Sequence, residues 1–160
     1  MKNIKLLKEL LKKKILVIVE PSVPIKESYI KKSESSLISA KILLDNNRLE
    51  ESVALTYYSM YHSTTALFYR VGIKCENHTA TIQLLKDIFE INNTSLEFAK
   101  SERLDKQYYT DFHVTKEQVK ESIFIAEEFN AFILDFISKL NNFSIQNYKN
   151  KFNNLMDQLK

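Results

Sequence analysis

Apolar positions recur along most of this chain at intervals of three and four residues, the repeat of a helix that turns one face inward. Ile4, Leu7, Leu10 and Leu11 set a short first helix between about Asn3 and Lys14. Ile15 to Val19 has strand propensity, but with no second strand in view it reads as an extended connector lying on the helices. Pro21 and Pro24 suit the start of a long helix to about Leu44, whose seam is Ile30, Ser33, Leu37, Ala40 and Leu44. Asp45, Asn46 and Asn47 end it. The next helix, from about Leu49 to Val71, is apolar or aromatic nearly all round, the pattern of a buried central helix. Gly72 fits its left-handed C-terminal position.

After a polar loop around Lys74 to Asn77, Asn77 can cap a helix reaching Ile91, with Ile82, Leu85 and Phe89 inward. Asn92 and Asn93 stop that helix. Thr94 and Glu97 have capping-box spacing for a shorter helix through Arg103, and Thr115 with Gln118 repeat the device. Val119, Ile123, Ala126, Phe129, Ile133, Phe136, Ile137 and Leu140 then mark a long helix from about Lys116 to Leu140. Beyond Asn141 polar residues alternate with Phe143, Ile145, Tyr148, Phe152, Leu155 and Met156, and Ser144 can cap one terminal helix, expected to fray or to pack on a partner.

Composition sharpens this reading. One Gly and two Pro leave few breaks, so an all-α fold is expected, and 160 residues suit one domain able to bury a real core. Its core is expected over about 25–140, with 141–160 as a C-terminal helical extension. A single cysteine, Cys75, excludes an internal disulfide and a cysteine-rich zinc site, and a reducing, cytoplasmic setting fits. Lys8, Glu9, Lys12, Lys13 and Lys14 break up the N-terminal apolar run, so neither a signal segment nor a membrane span is expected. A formal net charge of +3 is compatible with RNA as an acidic partner without demanding it. No glycine-rich phosphate loop and no Glu-x-x-His pair occur; no cofactor and no metal are expected.

Three stretches together resemble the HEPN family of short prokaryotic helical proteins. ESVALTYYSMYHSTTALFYRVGIKCENHTATIQLL, Glu51 to Leu85, places a Tyr-Tyr-x-Met-aromatic-His core on one helix and a histidine at the start of the next. RLDKQYY, Arg103 to Tyr109, resembles the family's arginine followed by a spacer and an aromatic, and VKESIFIAEEFNAFILDFI closes the match. The resemblance implies an antiparallel bundle of four to five main helices plus short terminal ones, forming a homodimer whose cleft is lined by both subunits. It also implies a toxin-like role in a toxin–antitoxin or defence pair, as a metal-independent endoribonuclease. The alternative is a non-catalytic module that binds a nucleotidyltransferase partner or a nucleotide. Arg70 to His78 and Arg103 to His113 are both wider than the family's arginine–histidine spacing.

Metal-independent RNA cleavage needs a base for the ribose 2′-hydroxyl, an acid for the leaving oxygen and positive charge on the phosphate. The chain has three histidines to weigh. His78 opens a helix, where the dipole disfavours imidazolium and favours bound anions; a surface cap or core-edge hydrogen bond is the plainer reading. His62 shares a helix face with Tyr58 and is either a core histidine bonded to that tyrosine or to a carbonyl, or a third catalytic group. Arg103, by the resemblance, is the phosphate contact, against a salt bridge to Asp105, Asp111 or another carboxylate. Tyr58, Tyr108, Tyr109 and His113 are the candidate RNA- or nucleotide-binding residues. Tyr108 and Tyr109 can stack bases or, as the resemblance implies for nucleotidyltransferase-paired relatives, offer a hydroxyl for AMP; packing is their plainer role, and a loop position is His113's.

Overall fold

The computed structural model describes residues 3–108 and 113–159, with the side chains of 104–108 left out of that description. In chain order these residues form α1 (Ile4–Lys12), β1 (Leu16–Ile18), α2 (Val23–Asp45), α3 (Leu49–Val71), β2 (Ile73–Cys75), α4 (His78–Phe89), α5 (Thr94–Tyr108), α6 (Lys116–Lys139) and α7 (Asn142–Leu159). The fold is an all-α helical bundle carrying one small two-stranded sheet.

Helix α3 is the axis, touching α2, α4, α5, α6, α7 and β2. Its sequence explains this position, because Val53, Tyr57, Met60, Ala66, Leu67, Phe68 and Val71 are buried around its circumference rather than along one stripe. Three serines and three threonines buried on the same helix bring backbone-seeking hydroxyls inside; Thr56, Thr64 and Thr65 each donate back to the carbonyl one turn earlier. Helices α2 and α3 form an antiparallel hairpin: Ser22 meets Tyr69, Ser33 meets Ser59 and Ala40 meets Ser52. Asn130 of α6 closes a buried polar knot. It accepts from Ser63 Oγ at 2.7 Å and donates to Ser59 Oγ at 2.6 Å.

The stretch Ile15 to Val19, expected to be a connector, contains a strand. Leu16, Val17 and Ile18 pair antiparallel with Cys75, Lys74 and Ile73. The partner was hidden in what reads as the polar loop after Gly72, because a strand of three residues has too little pattern to register alone. Gly72 makes the pairing possible: at φ 90° it ends α3 and turns the chain back, its carbonyl accepting from Val19 N at 3.0 Å.

Other boundaries shift for local reasons. Helix α4 stops at Phe89 rather than Ile91, since Glu90 takes the left-handed conformation at φ 59°. Helix α5 starts with Thr94 inside it, because Asn92 Oδ1 rather than Thr94 caps the end, accepting from Thr94 N at 2.9 Å; it then continues through Tyr108, well past Arg103. The Thr115–Gln118 capping box at α6 is complete, with both reciprocal bonds formed. At α7 the reciprocal pair is Asn141 with Ser144. That helix packs on its own chain instead of fraying, burying Ile145, Phe152, Leu155 and Leu159 against α1, α3 and α4. No helix among the described residues is long and apolar enough to cross a membrane.

Candidate functional site

Helix α3 carries Tyr57 and Tyr61 on one stripe and Tyr58 and His62 on the next, each pair four residues apart. Two further elements are brought against these stripes. The β2 strand delivers the start of α4, where Asn77 caps the helix by accepting from Ala80 N at 2.9 Å and so fixes His78 as the first helical residue. Helix α5 supplies Lys100 and Arg103, one turn apart.

His78 and Arg103, far apart in sequence, thereby meet over the same tyrosines. The Tyr57 hydroxyl lies 2.5 Å from His78 Nδ1. The Tyr61 ring lies flat on the imidazole, with centroids 4.0 Å apart and planes 3° from parallel. Arg103 Nη1 donates to the Tyr58 hydroxyl at 2.7 Å, and its guanidinium lies 5.1 Å from the Tyr57 ring centre and 5.3 Å from that of Tyr58. Arg103 Nε is buried with no hydrogen-bond partner among the described residues. Lys100 Nζ donates to Thr79 Oγ1 at 2.5 Å, beside His78.

The electrostatics follow from that crowding. Burial, then the charges of Arg103, Lys100 and His62, push the His78 imidazole down to about 4, so it is neutral at physiological pH. Its place in the first turn of α4 acts in the same direction. Burial and the neighbouring Arg103 also lower Lys100, with Glu97 opposing. Burial raises the Tyr57 and Tyr61 phenols, which keeps both protonated.

His62 sits at the edge of this cluster. Its ring stacks on Tyr58 at 6.0 Å and its Nδ1 faces Ser36 Oγ of α2 at 3.5 Å, so with Tyr58 it makes a ring contact, while the Lys32 backbone answers the expected carbonyl. Burial and the Lys32 charge lower its pKa, against the hydrogen bond to the Lys32 backbone. Beyond it, Tyr29 and Tyr69 stack at 5.5 Å with Lys32 over Tyr29, so half-buried rings continue in contact from Tyr69 through Tyr29, His62 and Tyr58 to Arg103.

The remaining candidates fall elsewhere. His113 is exposed and lines a shallow pocket with Asn47, Arg48 and Glu51, at the opening of α3 and about two turns before Tyr58. Tyr109 lies outside the described residues, as does the side chain of Tyr108. Among the described residues no group of three His, Cys, Asp or Glu side chains is placed to hold a metal ion. Tyr57, Tyr61 and Lys100 were not singled out from sequence. The signal was present in the two offset tyrosine pairs of α3 and in the Lys100–Arg103 spacing, but it acquires meaning only when α4 arrives against them.

Comparison with known proteins places this cluster in context. The HEPN domain model matches residues 26–139, which takes in α3, α4 and the described part of the cluster. A UPF0332 protein of Pyrococcus horikoshii is 40% identical over 58 residues, covering 36% of this chain and 41% of that protein. A protein of Methanocaldococcus jannaschii named "putative toxin" is 27% identical over 110 residues, covering 64% of this chain and 81% of its own.

Proposed function

Because the chain belongs to the HEPN domain family, we propose that it is the toxin-like component of a toxin–antitoxin or defence pair, acting on RNA at the cluster around His78 and Arg103. The observation that carries this reading is the convergence of an imidazole and a guanidinium, from α4 and α5, over one set of tyrosines, Tyr57 buried and Tyr58 and Tyr61 half-buried. In this role Arg103 contributes permanent positive charge to a phosphate oxygen, Lys100 adds a second cation, and His78 offers the ring nitrogen that Tyr57 leaves untouched. Tyr58 and the rings beyond it supply π-faces on which unpaired bases stack, each worth about 1–3 kcal/mol in single-strand binding. The cleft is completed across the twofold axis of a homodimer, so that a phosphodiester is held from both sides.

The test is direct. Purified protein is incubated with transfer and ribosomal RNA in the presence of chelator, alongside His78→Ala and Arg103→Ala. Cleavage by the natural chain that both substitutions abolish supports the enzyme; absent cleavage, or cleavage indifferent to both changes, rejects it. The wide spacing of Arg70 from His78 and of Arg103 from His113 favours a second reading, a non-catalytic module that binds a nucleotidyltransferase or a nucleotide. It predicts tight RNA-free association with such a partner and no RNA product.

A further inference from the structure

We propose that Tyr57 is a positioning residue that holds His78 as its Nε2–H tautomer, so that His78 meets its ligand as a neutral hydrogen-bond donor and the atom it takes is a phosphoryl oxygen. Tyr57 is completely buried, at 0% exposure, and His78 Nδ1 at 2.5 Å is the one hydrogen-bond partner of its hydroxyl among the described residues. A phenol has a single proton to place. Were Nδ1 to carry the ring proton and donate to the hydroxyl, the phenolic proton would be stranded in the core, at a cost of about 1–3 kcal/mol. With the phenol donating instead, Nδ1 is an acceptor, and the hydrogen of a neutral ring resides on Nε2.

The ring is also held neutral and in one orientation. Around it stand Tyr57, Tyr58, Tyr61 and His62 on α3 and Lys100 and Arg103 on α5; the two cations and the burial disfavour imidazolium. The parallel Tyr61 ring fixes the imidazole plane, and the Tyr57 bond fixes rotation within it. In this tautomer Nε2 carries a hydrogen and no available lone pair, which bars it from acting as a base. The ligand atom it suits is an acceptor. Arg103 and Lys100 beside it favour an anionic acceptor with several oxygens, which in the RNA reading above is the phosphodiester. The choice of phosphodiester rests on that reading; the tautomer does not.

The experiment is long-range proton–nitrogen NMR of the imidazoles in the nitrogen-15-labelled full chain at pH 7. The expected spectrum shows His78 in one form, hydrogen on Nε2, with the Nδ1 signal displaced as for a hydrogen-bond acceptor. In Tyr57→Phe that displacement disappears and the Nδ1–H form becomes measurable. Inorganic phosphate added to the natural chain is expected to move the Nε2 signal saturably, with affinity several-fold weaker in Tyr57→Phe. A hydrogen on Nδ1 in the natural chain, or an imidazole spectrum identical in the variant, overturns the positioning role. An Nε2 signal indifferent to phosphate overturns the ligand assignment. If Tyr57→Phe does not fold, the natural chain's tautomer still decides. Loss of the RNA reading with the tautomer intact removes the proposed function alone.

Discussion

His78 makes a pH statement about the folded state. Its ordinary pKa is near 6.5 and the folded value is about 4, so between those limits the unfolded chain binds a proton that the folded chain lacks. Stability linked to this residue is therefore complete above about pH 6.5 and lost as pH falls towards 4, and the lowered His62 adds in the same sense. Melting followed by circular dichroism should show a fall in Tm from pH 7 to pH 4.5 that is shallower in His78→Gln. An equal slope in both would mean that other groups govern the acid limb. At Arg103, substitution by Lys keeps the charge but loses the planar contact over Tyr57 and Tyr58 and the Nη1 bond. If the RNA reading holds, binding to single-stranded RNA weakens roughly 5–10-fold, measured by fluorescence anisotropy; unchanged affinity would take Arg103 out of the interface.

Between elements, the junctions carry the sharpest expectations. Gly72 has φ 90°, and a Cβ there would meet Val19 O at 2.5 Å, a backbone atom tied into the β1–β2 connection. Gly72→Ala combines left-handed strain with that clash, and urea unfolding should report a loss of at least about 2 kcal/mol. Asn130 links α6 to α3 through Ser59 and Ser63 inside the bundle. Asn130→Leu fills a similar volume but removes one hydrogen bond from each of two buried hydroxyls, leaving Ser63 with the Met60 carbonyl and Ser59 with Ser33, so a cost of about 1–3 kcal/mol is expected in the same assay. A neutral result would show that these remaining partners satisfy both serines. These features differ in how far the sequence reveals them. The Thr115 box and the Asn77 cap are local motifs and were readable. The β1–β2 pair joins segments more than fifty residues apart, and its three-residue strands have no periodicity of their own.

On the scale of the whole molecule, α5 and α6 present Phe98, Phe124 and Phe132 to solvent, with more than half of each side chain uncovered. An apolar groove lined by Ile91, Ile125 and Phe129 runs beside the last two. If the homodimer proposed above forms, that face is able to give it apolar contact. Sedimentation velocity should give a species of twice 18.8 kDa, and Phe132→Lys should shift it towards monomer; a concentration-independent monomer would remove the twofold cleft. The sequence by itself determined the helices, their order, the buried character of α3 and the membership of one family, because periodicity and capping act over a few residues. It also supplied His78 and Arg103 as candidates. Only the tertiary structure decided that these two share one set of tyrosines, that Tyr57 rather than Tyr58 holds the imidazole, and that His113 stands apart. Packing between α3, α4 and α5 sets which side chains face one another, and burial there sets their protonation; neither is encoded in any local stretch of chain.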